Sequence, residues 1–329
     1  MLPITIAGIG HYLPSRVVTS NELEAAFGLE PGWIERVTGI RERRYVNDET
    51  TVGMAVIAAQ RAISAAGCSV GDIDLIIGAS SAPQQVIPCT AAFVQRALGA
   101  PDGHSACFDV NATCISFLVA LQQAAHLIGA GAYRTALIFS SEIGTRSRST
   151  SEPESAVLFG DAAAAAIITR TPANAASAIW GSKMVTFSSG AELTQLVGGG
   201  TLHHPNDPRT TPDMNEFQMR GPAVFRMAAR TLGPFLDSFF DDLGWDRRDI
   251  DLLVPHQASS HGVGLLTARL GFTPAQMYLN LAERGNCIAA SIPLALSEAL
   301  AQKRARRGDR LLLLGTGAGM SICAVGLTY

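Results

Sequence analysis

Three short segments of the 329-residue chain carry residue types that together can run nucleophilic chemistry. Residues 108–117 (FDVNATCISF) hold Cys114, residues 254–258 (VPHQA) hold His256, and residues 285–293 (GNCIAASIP) hold Asn286. A thiol supplies a nucleophile, an imidazole moves or donates a proton, and a carboxamide donates a hydrogen bond without bringing charge. Cys114 falls where an apolar strand gives way to a helix. Free N–H groups and the positive end of the helix dipole are expected to favour its thiolate there. Each residue also has a plain reading on its own: a packed thiol, a strand-end histidine, and an Asn that caps or turns. Three such residues in one chain are harder to assign to packing alone.

Positioning them requires an α/β scaffold, and the chain repeats itself in a way that supplies one. Residues 67–81 (GCSVGDIDLIIGASS) resemble residues 244–258 (GWDRRDIDLLVPHQA), with a constant offset of 177 between Gly67 and Gly244 and between Asp72 and Asp249. Both copies read as a helix ending at Gly, a short acidic turn, and a buried strand opening into a loop. Two similar halves follow, 1–171 carrying the cysteine and 172–329 carrying the His and Asn. Strands are expected over 4–9, 75–77, 107–110, 136–139 and 163–168 in the first half. The second half is expected to have strands over 179–187, 252–254, 310–314 and 322–327. Helices are expected over 51–66, 90–98, 115–129, 221–243, 261–270 and 292–306. Residues 188–213, with three consecutive glycines and several prolines, read as a long irregular loop, either a lid or a surface excursion.

Composition narrows the classes. With 47% hydrophobic and 16% charged residues, the chain has ample material for a core. A formal net charge of −3 gives no reason to expect nucleic acid or an anionic membrane as partner. The opening MLPITIAG lacks a basic stretch and a long apolar core, so it does not read as a signal peptide. The six cysteines have no CxxC or Cys/His metal spacing, which points to reduced thiols, no metal, and a cytoplasmic location. The Gly315-Thr-Gly-Ala-Gly run lies too near the end, with a β-like segment after it, to be a dinucleotide fingerprint.

The three segments resemble the β-ketoacyl-acyl-carrier-protein synthase III family, as do WIERVTGIRER from Trp33, FGDAAAA from Phe159, and GTGAG from Gly315. The resemblance runs end to end in the same order. It implies a thiolase-like fold, two α/β halves in a layered αβαβα arrangement, and decarboxylative Claisen condensation in fatty-acid or related lipid biosynthesis. By the resemblance, Cys114 takes an acyl group from a thioester. His256 and Asn286 stabilise the enolate made when a malonyl thioester loses carbon dioxide, and the backbone N–H groups of Cys114 and Ala318 form an oxyanion hole. It also implies acyl-carrier protein as partner, a homodimer, and acyl-CoA or carrier-protein thioesters as substrates without a further cofactor. A specialised-metabolite ketosynthase or acyltransferase of the same fold, or a subunit of a heterodimeric condensing enzyme, are the alternatives.

The channel to the cysteine departs from the family pattern. Trp33 matches the tryptophan that holds coenzyme A in the family. The family's arginines fall instead on Val37 (with Arg36 one place early), Pro153 and His261, and its Met-x-Gly-Asn reads Met219-Arg220-Gly221-Pro222. Arg36, Arg220 and Arg226 offer replacement charge, Arg226 being a candidate for carrier docking. Ile87 stands where the family places a bulky aromatic from the dimer partner, which suggests room for a longer or branched acyl group. The basic run 303–307 reads as a solvated helix end rather than a carrier-facing patch.

Overall fold

The computed structural model describes residues 1–149, 152–268 and 270–329. Two sheets form the frame. The first has the order Ile4–Tyr12, Ala162–Arg170, Thr135–Glu142, Leu75–Gly78, Ala106–Asp109, and the second Leu252–Pro255, Arg310–Gly317, Ser321–Thr328, Ala178–Thr186. Leu75–Gly78 runs parallel to both neighbours, and Leu252–Pro255 runs parallel to Arg310–Gly317; the remaining pairs are antiparallel.

Five layers result. Thr51–Ala66 and Thr90–Ala97 cover the outer face of the first sheet, burying Met54, Ile76, Val94 and Phe139. Ser116–Gly129 and Ser291–Ala301 lie between the sheets, with Phe117, Leu121, Leu296 and Leu313 in a shared core. Gly221–Leu243 covers the second sheet through Phe235, Leu236 and Phe239. Strands such as Leu311–Leu314 are buried on both faces, as a helix-covered sheet demands. Among the described residues, no helix is long and apolar enough to cross a membrane.

The repeat is physical as well as textual. Thr51–Ala66 and Gly221–Leu243 each end on a left-handed glycine, Gly67 (φ 66°) and Gly244 (φ 64°). A capping box follows in each copy, Ser69 with Asp72 and Asp246 with Asp249. Asp74 then accepts the N–H of Thr135 at 2.9 Å, and Asp251 that of Arg310 at 2.8 Å. The same acid therefore latches the same neighbouring strand in each half.

Several boundaries differ from the sequence reading. The last helix stops at Ala301 rather than 306, and Lys303 turns the chain with φ 58°. The basic run therefore lies beyond the helix, and part of it works inside the molecule. Arg304 donates to the Ala275 carbonyl, and Arg307 donates to Thr5 and Ile6 while stacking on Tyr329. Residues 188–213 begin with the 3₁₀ segment Ser188–Leu193 and Thr194–Gln195, which pairs with Gln218–Met219. The expected helix over 261–270 is Ser260–Ala268; Arg269 lies outside the described residues. Residues 16–45, left unassigned from sequence, form the hairpin pair Arg16–Thr19 and Glu42–Tyr45 around helices Ser20–Phe27 and Trp33–Thr38.

Candidate active site

Cys114 sits in the 3₁₀ turn Thr113–Ile115 that leads into the central helix Ser116–Gly129. The turn is made by a tight backbone. Asn111 accepts the N–H of Thr113 at 2.9 Å, and Thr113 adopts φ 53°, an uncommon value for a β-branched residue. The strand Arg310–Gly317 presses on this turn. A Cβ on Gly317 would stand 2.5 Å from Thr113 Oγ1, and one on Gly315 would stand 2.7 Å from Ile115 Cγ2 and 3.4 Å from His256 Cβ. The glycines that look like a nucleotide loop are thus the room in which the nucleophile's turn sits. The N–H of Ala318, just past the strand, lies near enough to the Cys114 sulfur to favour its thiolate.

The thiol is not activated in the way its helix-start position suggested. Burial first, and then the negative charge of Glu142, push Cys114 up to about 12, outweighing its own N–H and that of Ala318.

His256 follows the buried strand Leu252–Pro255, and its N–H bonds to the Leu314 carbonyl at 2.7 Å. Burial lowers it to about 4, so the ring is neutral at physiological pH, and its buried Nδ1 has no partner. The next residue, Gln257, was not singled out from sequence. Fully buried, it donates to the Tyr278 carbonyl (3.1 Å) and accepts from the N–H groups of Asn280 and Leu281 (2.9 and 3.0 Å). That staple fixes the segment running on to Asn286. Its signal was only adjacency to His256.

Asn286 is buried and pinned by its backbone between Leu158 and Gly160, beside Phe159. Its Oδ1 accepts the N–H of Ile288 at 2.9 Å, leaving the amide NH2 to donate elsewhere. The turn Ile288–Ala290 then packs against Thr113–Ile115. Cys114, His256, Asn286 and Ala318 are therefore brought to one place, where the two halves meet.

The outer residues are more scattered. Trp33 is half-buried against the cluster of Val18, Leu23, Ile34, Tyr45 and Val157, and its helix touches Ser260–Ala268 beyond His256. Arg36 is exposed and paired with Glu30 at 3.4 Å. Arg220 and Arg226 are exposed around the start of Gly221–Leu243, with Gly221 as its first residue. Val37 and Pro153 are half-buried, and His261 is exposed. Ile87 projects from the loop after Leu75–Gly78 and is 79% exposed, with Val86 beside it at 84%. Among the described residues, no group of three or more His, Cys, Asp or Glu is placed to hold a metal.

Two stacked α/β halves, with a cysteine at the start of one central helix and an asparagine leading into its counterpart, define a thiolase-fold condensing acyltransferase. Residues 108–188 match the family model described as 3-oxoacyl-[acyl-carrier-protein] synthase III, and residues 240–329 match that of its C-terminal part. The chain belongs to that family. A β-ketoacyl-[acyl-carrier-protein] synthase III of Symbiobacterium thermophilum is 36% identical, the match covering 99% of this chain and 98% of the relative. The crystal structure of 3-oxoacyl-[acyl-carrier-protein] synthase III from Aquifex aeolicus VF5 superposes with a TM-score of 0.90 at 32% identity, covering 99% of this chain and 100% of that one. The priming β-ketosynthase of the R1128 polyketide biosynthetic pathway also gives 0.90, at 27% identity, covering 98% and 95%.

Proposed function

We propose that the chain transfers an acyl group from a thioester to Cys114 and condenses it with malonyl-acyl-carrier protein to give a 3-oxoacyl thioester. In the first step the Cys114 sulfur bonds to the acyl carbon and the carrier's sulfur leaves. Neutral His256 takes the thiol's proton and returns it to the departing thiolate. The N–H groups of Cys114 and Ala318 face the oxyanion of that step. In the second, the malonyl carboxylate leaves as carbon dioxide while negative charge moves onto the thioester oxygen. His256 and Asn286 donate hydrogen bonds there, each worth about 2.7–4 kcal/mol in such a setting. The carbanion then attacks the acyl-Cys carbonyl, and the thiolate is released.

The observation that carries this reading is the pairing of an uncharged, buried His256 with an Asn286 whose NH2 is left to donate. Neither would repel the enolate. The residues supply a nucleophile and two donors, so the chemistry runs without a cofactor. Arg220 and Arg226 offer charge to an acidic carrier protein, and Trp33, Arg36 and Gly221 border the approach. The exposed Val86–Ile87 loop suits a second copy of the chain, giving a homodimer in which Ile87 lines the partner's acyl pocket. A cytoplasmic location fits the six free thiols.

A specialised-metabolite ketosynthase is the second reading. The polyketide priming ketosynthase among the structural relatives and the altered channel positions Val37, Pro153 and His261 favour it. Carbon dioxide release from malonyl-carrier protein by a Cys114→Gln variant tests the condensing activity common to both. No release above the uncatalysed rate, with acyl-Cys114 still formed by the wild type, would leave simple acyl transfer instead.

A further inference from the structure

Glu142 ends the strand Thr135–Glu142 with none of its surface exposed. Its carboxylate accepts the Ser81 N–H at 2.5 Å and the Ser81 hydroxyl at 2.9 Å, and the strand it ends packs against the turn Ile288–Ala290. Two donors from one residue suit the ionised acid. Among the described residues, no cation pairs with it.

Two loops meet at this residue, one through hydrogen bonds and one through packing. Ala289 lies in the turn three residues past Asn286. Ser81 begins the loop that runs to Val86 and Ile87, and its carbonyl accepts from Asn111 Nδ2 at 3.0 Å. Asn111 in turn shapes the Cys114 turn through Thr113. One carboxylate thus connects the nucleophile's turn, the Asn286 turn and the outward-facing loop.

We propose that Glu142 is a positioning residue for the condensation: its carboxylate sets the spacing of the turns that present Cys114 and Asn286. The assignment rests on the function proposed above. After burial, its charge also raises the Cys114 thiol. Asp161, at the start of the paired strand, is turned to Val46 and Thr145. Burial raises Glu142 itself to about 7, so its donor set is matched to its charge only above that pH.

Two variants test the assignment, Glu142→Gln for charge and Ser81→Ala for position. Iodoacetamide alkylation of Cys114 against pH is read beside the kcat and KM for carbon dioxide release from malonyl-carrier protein. Folded Glu142→Gln should alkylate along a curve moved down by about half a pH unit or more, as removal of a like charge requires. Its kcat should fall about tenfold or more with KM within about threefold, as for a misplaced catalytic group. Ser81→Ala should lower kcat and leave the alkylation curve in place. An unchanged kcat in Glu142→Gln overturns the proposal. If that variant does not fold, an unchanged kcat in Ser81→Ala overturns it. Absence of carbon dioxide release in the wild type would instead strike the functional reading.

Discussion

Asn111 and Asn286 make the same hydrogen bond at equivalent points of the two halves, each Oδ1 accepting the N–H of the residue two places on at 2.9 Å. The two donor residues are equivalent in backbone as well, Thr113 at φ 53° and Ile288 at φ 51°. A 3₁₀ turn follows in each, and then a central helix begins at Ser116 or at Ser291. One offset of 175 residues relates all three pairs. The duplicated motif has been put to two uses: one copy presents a nucleophile and the other presents its own asparagine as donor. Holding β-branched residues at positive φ costs about 1–3 kcal/mol each, and the surrounding packing must offset that.

Replacing Asn286 by Asp keeps the oxygen that accepts from Ile288 but loses the NH2 and adds a charge facing the enolate. The added buried charge should lower the melting temperature, while acylation of Cys114 in the folded variant should persist. Decarboxylation should fall by about 100-fold to 1,000-fold, the range for losing one such donor. Assays of the two half-reactions separate the outcomes.

Cys114 should behave as a suppressed thiol in the resting enzyme. With its titration pushed up to about 12, alkylation by iodoacetamide should climb steadily past pH 9. A plateau near pH 7 would show an activated thiolate and remove the argument from burial and Glu142.

Gly317→Ala should damage the nucleophile's turn without touching any catalytic side chain. Its methyl would fall 2.5 Å from Thr113 Oγ1 and 3.1 Å from the Ala112 carbonyl oxygen. Overpacking of this kind costs about 1–3 kcal/mol of stability. Acylation should slow more than malonyl decarboxylation does, because Asn286 lies on the other turn. Denaturant melts and single-turnover acylation check both parts.

His256 should remain neutral through mild acid. Its titration is lowered to about 4 in the folded protein, against 6.5 for the free side chain. Below 6.5 the unfolded chain takes up the proton first, so this stabilising contribution is complete above 6.5 and is lost as pH falls towards 4. His256→Gln should flatten that part of the stability-against-pH curve, followed by denaturant melts between pH 4 and 7.

Much of the fold was legible because its signals are local. Helix 51–66 and helix 221–243 carry their stop signals in Gly67 and Gly244, and Asp-Ile-Asp-Leu marks the repeated strand. The last helix was overextended because Lys and Arg are good helix formers, whereas Lys303 turns left-handed beyond the helix end. Cys114, His256 and Asn286 were found through their segments. The state of the thiol was not, since a helix N-terminus is visible in sequence and a buried carboxylate 28 residues away is not. Glu142 and Gln257 stayed hidden for the same reason: each acts through backbone groups brought together only by the fold. A lone acid closing the apolar strand 135–142 was the one available hint.

The most direct test is the mass of the intact protein after incubation with acyl-CoA and acyl-carrier-protein donors of increasing chain length. The wild type should gain a single acyl mass, lose it when malonyl-carrier protein is added, and prefer chains longer than acetyl if Ile87 leaves the pocket open. Cys114→Ala should gain nothing. An adduct that persists in Cys114→Ala, or none from any donor on either carrier, would contradict the account.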